Sequence, residues 1–492
     1  MTVAPAADEA LLAALGERLA AVGYDERAAR ALTAGGGLRP SAGRAVLHLR
    51  ADAGEPLPVL VRLFHVGEAV DSQAAAAALA PLELDALEQA ALIDRTGSQA
   101  RALVRVDVHD GLLLASDRDD GSLRPDHVVP VGPATRTVAQ LTVRRPARSA
   151  LDLGAGSGTH ALLAARHCER VVGTDLNPRA LCFAALNTAL NGVGNVEWRA
   201  GDLFGPVRGE TFDLIVANPP FVVSPRRELV YRDGGDGDEM SRAVVSGAAQ
   251  HLSEGGFATV LCSWVSDPGE PWADAPGRWL DGAGCDAWLL HYRTDDPLSY
   301  AATWSEHGRP FDRARLAASV HDWLEHYRRS GVEAISTGAI VLRRRAGRSW
   351  LRADTMPLGL SGPASEQILN VFEAGDFLAA AGDERALLSE TIAPAEGARL
   401  LQRADFRDGR LEPERVRLAL SSGIRLTTRL PVHALPVLRA LDGSTPLAAA
   451  FAHAESAFGV STAALTAECL PALRELYARG LLVRTNRSTT GT

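Results

Sequence analysis

The stretch Asp152-Leu153-Gly154-Ala155-Gly156-Ser157-Gly158 constrains this chain more than any other. An apolar run, Ala150 to Leu153, enters three glycines at alternate positions, and a helical pattern starts at Thr159. Missing side chains let a backbone turn sharply and approach a ligand closely. A strand that enters such a turn and leaves it as a helix opens a doubly wound sheet. The rhythm continues with strands at Arg170 to Thr174, Val196 to Arg199 and Phe212 to Ala217, and a helix from Pro178 to Leu190. Further strands follow at Phe257 to Trp264, Ala287 to Tyr292 and Ala339 to Arg343. This alternation predicts an α/β fold with a doubly wound, mostly parallel, seven-stranded sheet covered on both faces.

A chain of 492 residues exceeds what one hydrophobic core usually serves. Three domains are expected: residues 1–130, mainly helical and winged-helix-like; 131–347, the α/β domain; and 348–492, mainly helical and again winged-helix-like. In the first, Leu11, Leu12, Leu15 and Leu19 fall at helical spacing, as do apolar residues from Ala75 to Ile93. Ala102 to Val108 and Leu112 to Ala115 flank His109-Asp110-Gly111, a hairpin signal. Helices followed by a hairpin resemble a winged helix, a shape that docks nucleic acid and serves equally as a scaffold. In the last domain, helices are expected over Glu366 to Glu373, Glu384 to Leu388, Pro413 to Leu420 and Ala472 to Arg479. Gly480 stops the last of them before a short strand at Leu481-Leu482-Val483.

An apolar fraction of 46%, a charged fraction of 23% and a net charge of −9 are those of an ordinary globular protein. They argue against a general nucleic-acid coat protein and leave room for a local basic face. All 51 basic residues are arginine, and the run Arg343-Arg344-Arg345 reads as a solvated edge that could meet phosphate. Five scattered cysteines form no CxxC pair, which points to a reducing cytoplasm and no structural zinc. No apolar run approaches membrane-spanning length, so a cytoplasmic protein without a membrane partner is expected.

The glycine turn alone suits nicotinamide dinucleotides and S-adenosylmethionine equally. Asp175 closes the strand Val171 to Asp175, where a carboxylate can accept from both hydroxyls of a ribose. Asp202 follows the next strand, placed to meet an adenine edge. Asn218-Pro219-Pro220-Phe221 then ends the apolar run Phe212 to Ala217. Asn218 supplies a carbonyl oxygen, while Pro219 carries no amide hydrogen and leaves neighbouring carbonyls free to accept from an NH₂ group. Two acceptors on one planar nitrogen draw its lone pair out of conjugation and aim it at an electrophile. Phe221 would stack on the flat target group.

In this order, the residues resemble the motif series of class I S-adenosylmethionine-dependent methyltransferases, in the NPPF/Y group that methylates nitrogen. The resemblance implies a Rossmann-like domain that binds S-adenosyl-L-methionine through Asp152, Gly154, Gly156, Gly158, Asp175, Asp202 and Asn218. Asp175 would hold the ribose and Asp202 the adenine amine, and catalysis would fall to Asn218, Pro219, Pro220 and Phe221 with no metal. Asn218 to Pro225, with Gly234, Gly235 and Gly237 downstream, is similar to the eukaryotic and archaeal release-factor glutamine methyltransferases. Those carry tyrosine where Phe221 stands; phenylalanine is frequent in RNA guanine-N2 and adenine-N6 methyltransferases. The expected substrate is therefore an exocyclic nucleobase nitrogen in rRNA or tRNA, with the outer domains docking RNA (or DNA). Glutamine methylation of a translation factor is the alternative, and a non-catalytic cofactor-binding scaffold is the reading from another class. Residues 226 to 240 are expected to form a loop over the site, with His160 and His167 on a helix surface and Trp264 in the core.

Overall fold

The computed structural model describes residues 8–34, 40–118, 124–225, 235, 237–267, 269–305, 312–356, 359–381, 383–407, 410–426 and 428–485. The chain divides into two compact units. The first comprises Met1–Val138, Arg144–Gly284 and Thr294–Arg344; the second comprises Ala139–Val143, Cys285–Arg293 and Arg345–Thr492.

In the first unit, β1 (Ala147–Leu153), α1 (Thr159–Ala164), β2 (Cys168–Asp175), α2 (Pro178–Leu190), β3 (Val196–Ala200) and β4 (Phe212–Ala217) alternate along the chain. They are followed by α3 (Glu239–His251), β5 (Leu252–Val265), α4 (Pro297–Trp304), α5 (Arg313–Ser330) and β6 (Ile335–Arg344). The strands lie in the order β6-β5-β4-β1-β2-β3, parallel throughout except for the antiparallel β5–β6 pair. Every residue of β4 except Asp213 is buried, the continuous apolar reading of a strand covered on both faces. Chain order reverses between β1 and β4, and sheets of this kind bind ligands at the carboxyl ends of the strands flanking that reversal.

The second unit holds another parallel pair, in which Ala287–His291 runs beside Leu351–Thr355. Counting these, the strands number eight against the seven expected. Ala287 to Tyr292, expected within the central domain of residues 131–347, falls in the second unit.

The expected hairpin forms from Val104–His109 and Leu112–Asp117. Its turn residues Asp110 and Gly111 both have positive φ, 50° and 75°, as a two-residue type I′ turn requires. The hairpin is no free wing. Asn191 Oδ1 accepts from Leu113 N–H (2.9 Å) and Asn187 Oδ1 from Ala115 N–H (2.7 Å), and the two amide NH₂ groups donate back to the same residues' carbonyls. Leu12, Leu15 and Leu19 join Val106, Phe183, Leu186 and Leu190 in one apolar cluster. The N-terminal helices and hairpin thus cover α2, with Asn187 and Asn191 pairing to the hairpin's Leu113 and Ala115 backbone.

The second unit packs Ser365–Ala381, Leu447–Phe458 and Thr462–Ala478 around Phe451, Leu465 and Leu473. Its last helix is followed by Gly480 at φ 69° and the strand Leu482–Arg484, as expected. Pro413 to Leu420, expected to be helical, belongs instead to the strand Arg410–Leu420. Val416 and Leu418 are buried while Arg417 between them is not, a period of two that outweighs helix propensity. The expected arginine edge is also engaged. Arg344 donates to the carbonyls of Ala249 (3.0 Å) and Ala283 (3.2 Å), and Arg345 pairs with Asp376. Among the described residues, no helix is long and apolar enough to cross a membrane.

Candidate functional site

The glycine turn leaves β1 already tied to its neighbour. Gly154 and Ala155 N–H groups both donate to the Thr174 carbonyl of β2 at 2.9 Å. Gly154, Gly156 and Gly158 have φ of 71°, 55° and 82°, the left-handed region that side chains disfavour. The three differ in what surrounds them. A Cβ at Gly154 or Gly156 would meet nothing within 4 Å, so at these two positions bare backbone faces open space. A Cβ at Gly158 would lie 2.7 Å from Trp198 Cη2, so this glycine serves packing. Trp198 also lies across Gly173 and donates from Nε1 to Thr188 (3.1 Å).

Asp152 is buried beneath the turn. Its Oδ2 accepts from Ala161 N–H on α1 (2.8 Å), while Oδ1 has no partner among the described residues. Burial lifts its pKa to about 7 against the Ala161 hydrogen bond, and the nearby Asp175 charge adds to the rise. Asp175 ends β2 and holds the turn from the other side. Its Oδ2 accepts from Gly156 N–H and its Oδ1 from Asn177 N–H, both at 2.8 Å. Each carboxylate oxygen keeps a second lone pair for a hydroxyl donor. Burial raises the Asp175 pKa as well, opposed by those same amides. Asp202 follows β3 in a tight turn in which its carbonyl accepts from Gly205 N–H (2.9 Å).

β4 pairs with β1 so that Ala217 stands beside Leu153. Asn218 and Gly154 therefore leave adjacent parallel strands at the point of reversal. Asn218 Oδ1 is buried and has no hydrogen-bond partner among the described residues. Pro219 is buried, Pro220 is half-buried, and Phe221 is 8% exposed with its ring edge-on to Trp304 of α4 (centroids 6.0 Å apart, 88°). Beyond Phe221 the backbone is held on both sides. Val223 N–H donates to Tyr300 Oη of α4 (3.3 Å), and Tyr327 Oη of α5 donates to the Val223 carbonyl (2.7 Å).

Tyr300, Trp304 and Tyr327 escaped the sequence reading because they lie 77 or more positions downstream on helices, with no motif marking them. Asn187 was missed too. It is fully buried and its NH₂ group reaches both Ala115 and the Ser157 carbonyl of the glycine turn (2.8 Å). His160, expected on a helix surface, is buried, and burial lowers its pKa to about 3 with a smaller contribution from His109. Trp264 is core, its Nε1 donating to the Trp272 carbonyl (2.7 Å). Of the expected loop, residues 226–234 and 236 lie outside the described residues. The second unit contains a cleft of about 640 Å³ lined by Arg352, Leu378, Arg474 and others, none of them a residue the sequence singled out.

Residues 131–263 match the family described as Methyltransferase small domain. Residues 8–103 match a second family, described only as a domain of unknown function (DUF7059). The methyltransferase segment is 37% identical over 132 residues to a release factor glutamine methyltransferase of Xylella fastidiosa, covering 24% of this chain and 47% of that protein. It is 36% identical over 126 residues to a ribosomal protein uL3 glutamine methyltransferase of Xanthomonas campestris, covering 23% and 41%. The chain thus spans about half the length of the curated relatives it matches. Among solved structures it is similar to Trm5b from Pyrococcus abyssi, at 16% identity and a TM-score of 0.29 over 51% of this chain and 62% of that one. The geometry of the methyltransferase small domain fits S-adenosylmethionine: open backbone at Gly154 and Gly156, spare acceptor capacity on Asp175, and an Asn218 oxygen one strand away that is unpaired among the described residues.

Proposed function

We propose that this chain is an S-adenosylmethionine-dependent methyltransferase that methylates the side-chain amide nitrogen of a glutamine in a protein of the translation machinery. The observation that carries the reading is the buried Asn218 Oδ1 beside the glycine turn, without a hydrogen-bond partner among the described residues. A buried acceptor left unpaired costs about 1–3 kcal/mol, a cost relieved when a substrate NH₂ donates to it. The names of the relatives support glutamine, the alternative read from Asn218 to Pro225, over the nucleobase expected from Phe221. Both substrates present a planar NH₂ group, so the acceptors alone do not separate them.

The cofactor supplies a methyl group on a positively charged sulfur. The chain's own part is binding and orientation: Gly154 and Gly156 expose backbone, Asp175 accepts from the ribose, and Asp202 accepts from the adenine amine. Asn218 and the carbonyls around Pro219 and Pro220 would receive the two substrate N–H groups and direct the nitrogen lone pair to the methyl group; as the N–C bond forms and the S–C bond breaks, the nitrogen would give up one proton to solvent. Phe221, steadied by Trp304, sets the plane of the amide. Residues 131–347 would carry this chemistry, with residues 1–130 and 348–492 addressing the substrate.

The test is to incubate the protein with radiolabelled cofactor and cell extract, then digest with protease or ribonuclease. Label in a protein band that survives ribonuclease, mapping to methylglutamine, supports the reading; label lost to ribonuclease overturns it. Asn218→Ala should lower turnover on the order of a hundredfold, with cofactor affinity nearly unchanged.

A further inference from the structure

We infer that Asn187 is a positioning residue for the cofactor site, and that through it the N-terminal hairpin holds the glycine turn in the shape that receives S-adenosylmethionine. The inference rests on the cofactor reading of that turn. Asn187 and Asn191 stand four residues apart at the end of α2 and so share a face. Both grip the hairpin, and of the two it is Asn187 that also reaches the turn. Its Oδ1 accepts from Ala115 N–H (2.7 Å), while its NH₂ group donates to the Ala115 carbonyl (3.0 Å) and to the Ser157 carbonyl (2.8 Å). Asn191 directs its NH₂ group to the carbonyls of Leu113 and Asn187, both at 2.7 Å. Because Ala115 exchanges two hydrogen bonds with the Asn187 amide, the hairpin backbone fixes the plane of that amide and decides which end of it faces Ser157.

Ser157 lies between Gly156 and Gly158, and glycine loses more conformational freedom on ordering than any other residue. A turn built from such residues needs support from outside itself. A peptide unit is planar, so a donor fixed on the Ser157 carbonyl also fixes the Gly158 N–H on the far side, which donates to the Ala155 carbonyl (2.8 Å). Asn187 is 0% exposed, so water does not compete for these bonds. A second tether runs to Asp175. Asp117, at the end of the hairpin, pairs with Arg179 in the first turn of α2. Asn177 donates from Nδ2 to the Asp126 carbonyl (3.0 Å) and from its backbone N–H to Asp175 Oδ1 (2.8 Å). The hairpin and the segment after it therefore hold both the glycine turn and the support of Asp175. A site whose shape is set before the ligand arrives binds it more tightly, and by linkage the ligand tightens the contacts that set the shape.

The test is hydrogen exchange of the full chain with and without S-adenosylmethionine, together with calorimetric titration of the cofactor. In the wild-type chain, saturation with cofactor should slow exchange at the Ala115 amide about tenfold, the same factor by which the contact raises cofactor affinity. Asn187→Ala should weaken cofactor binding about tenfold, the effect of one buried hydrogen bond, and should abolish the cofactor's effect on Ala115 exchange. Asn191→Ala removes hairpin bonds but leaves the chain of contacts from Ala115 through Asn187 to Ser157. It should lower the melting temperature while keeping affinity within about twofold of the wild type. Should Asn187→Ala fail to fold, exchange at Ala115 in the wild-type chain decides alone. Exchange at Ala115 indifferent to bound cofactor, wild-type affinity in Asn187→Ala, or an equal loss in Asn191→Ala would each overturn the inference and leave the cofactor reading standing. A wild-type chain that binds no S-adenosylmethionine would overturn both.

Discussion

Asp152 and Asn218 both bury an acceptor oxygen with no partner among the described residues, yet they stand differently towards pH. Asn218 does not titrate, whereas Asp152 has its pKa lifted by burial to about 7. An unfolded aspartate titrates near 3.9, so between about pH 4 and 7 the folded chain keeps a proton that the unfolded chain has released. Stability from this group therefore falls as pH rises through that window. His160 acts in the opposite sense. Its pKa falls to about 3 from about 6.5, so its contribution rises with pH over much of the same range. The two offset each other in the wild type, and the informative quantity is the difference in thermal midpoint between wild type and Asp152→Asn. That difference should move against the wild type from about pH 4 to 7; a flat difference would mean that Asp152 is already ionised in the fold. Spacing alone marked residues 152, 154, 156 and 175. It could not assign their work, because whether Asp175 meets a ligand or pins Gly156 depends on backbone groups brought together by strand pairing.

The segment after Phe221 is positioned by two helices that come from 77 and 104 residues further along the chain. Tyr300 and Tyr327 grip opposite sides of one residue, Val223, so the two bonds should be coupled. Tyr327→Phe leaves a buried carbonyl unpaired and should cost about 1–3 kcal/mol of stability. If the grip orients Asn218 and Phe221, each Tyr→Phe change also lowers kcat while leaving cofactor affinity intact, and the double variant loses less than the sum of the singles. An unchanged kcat in a destabilised variant would make the pair a strut and nothing more. Helix and strand identity was legible where apolar residues ran unbroken, as in β4, or where Asp-Gly announced a turn, as at residues 110 and 111. It failed at Pro413 to Leu420, where the pattern is read as helical; pairing with the strands Ala398–Arg407 and Thr428–Leu430 decides the outcome.

The first unit buries Phe183, Leu186 and Leu190 of α2 under the N-terminal helices and hairpin. Each such side chain is worth roughly 1.5–3 kcal/mol when fully buried. Removing residues 1–130 would expose them together with the amides of Asn187 and Asn191, so a chain starting at residue 131 should be insoluble or rapidly proteolysed. A truncated chain that melts cooperatively would show instead that the central sheet is self-sufficient. Local pattern was enough to specify an α/β sheet and the glycine turn at its reversal point, because each depends on residues near one another in the chain. Burial of His160, the bridge from Asn187 to the turn and the grip on Val223 depend on residues brought together from tens of positions apart. Such meetings are settled by which strands pair and which faces pack, and the contacts that settle them exist only once the chain has folded.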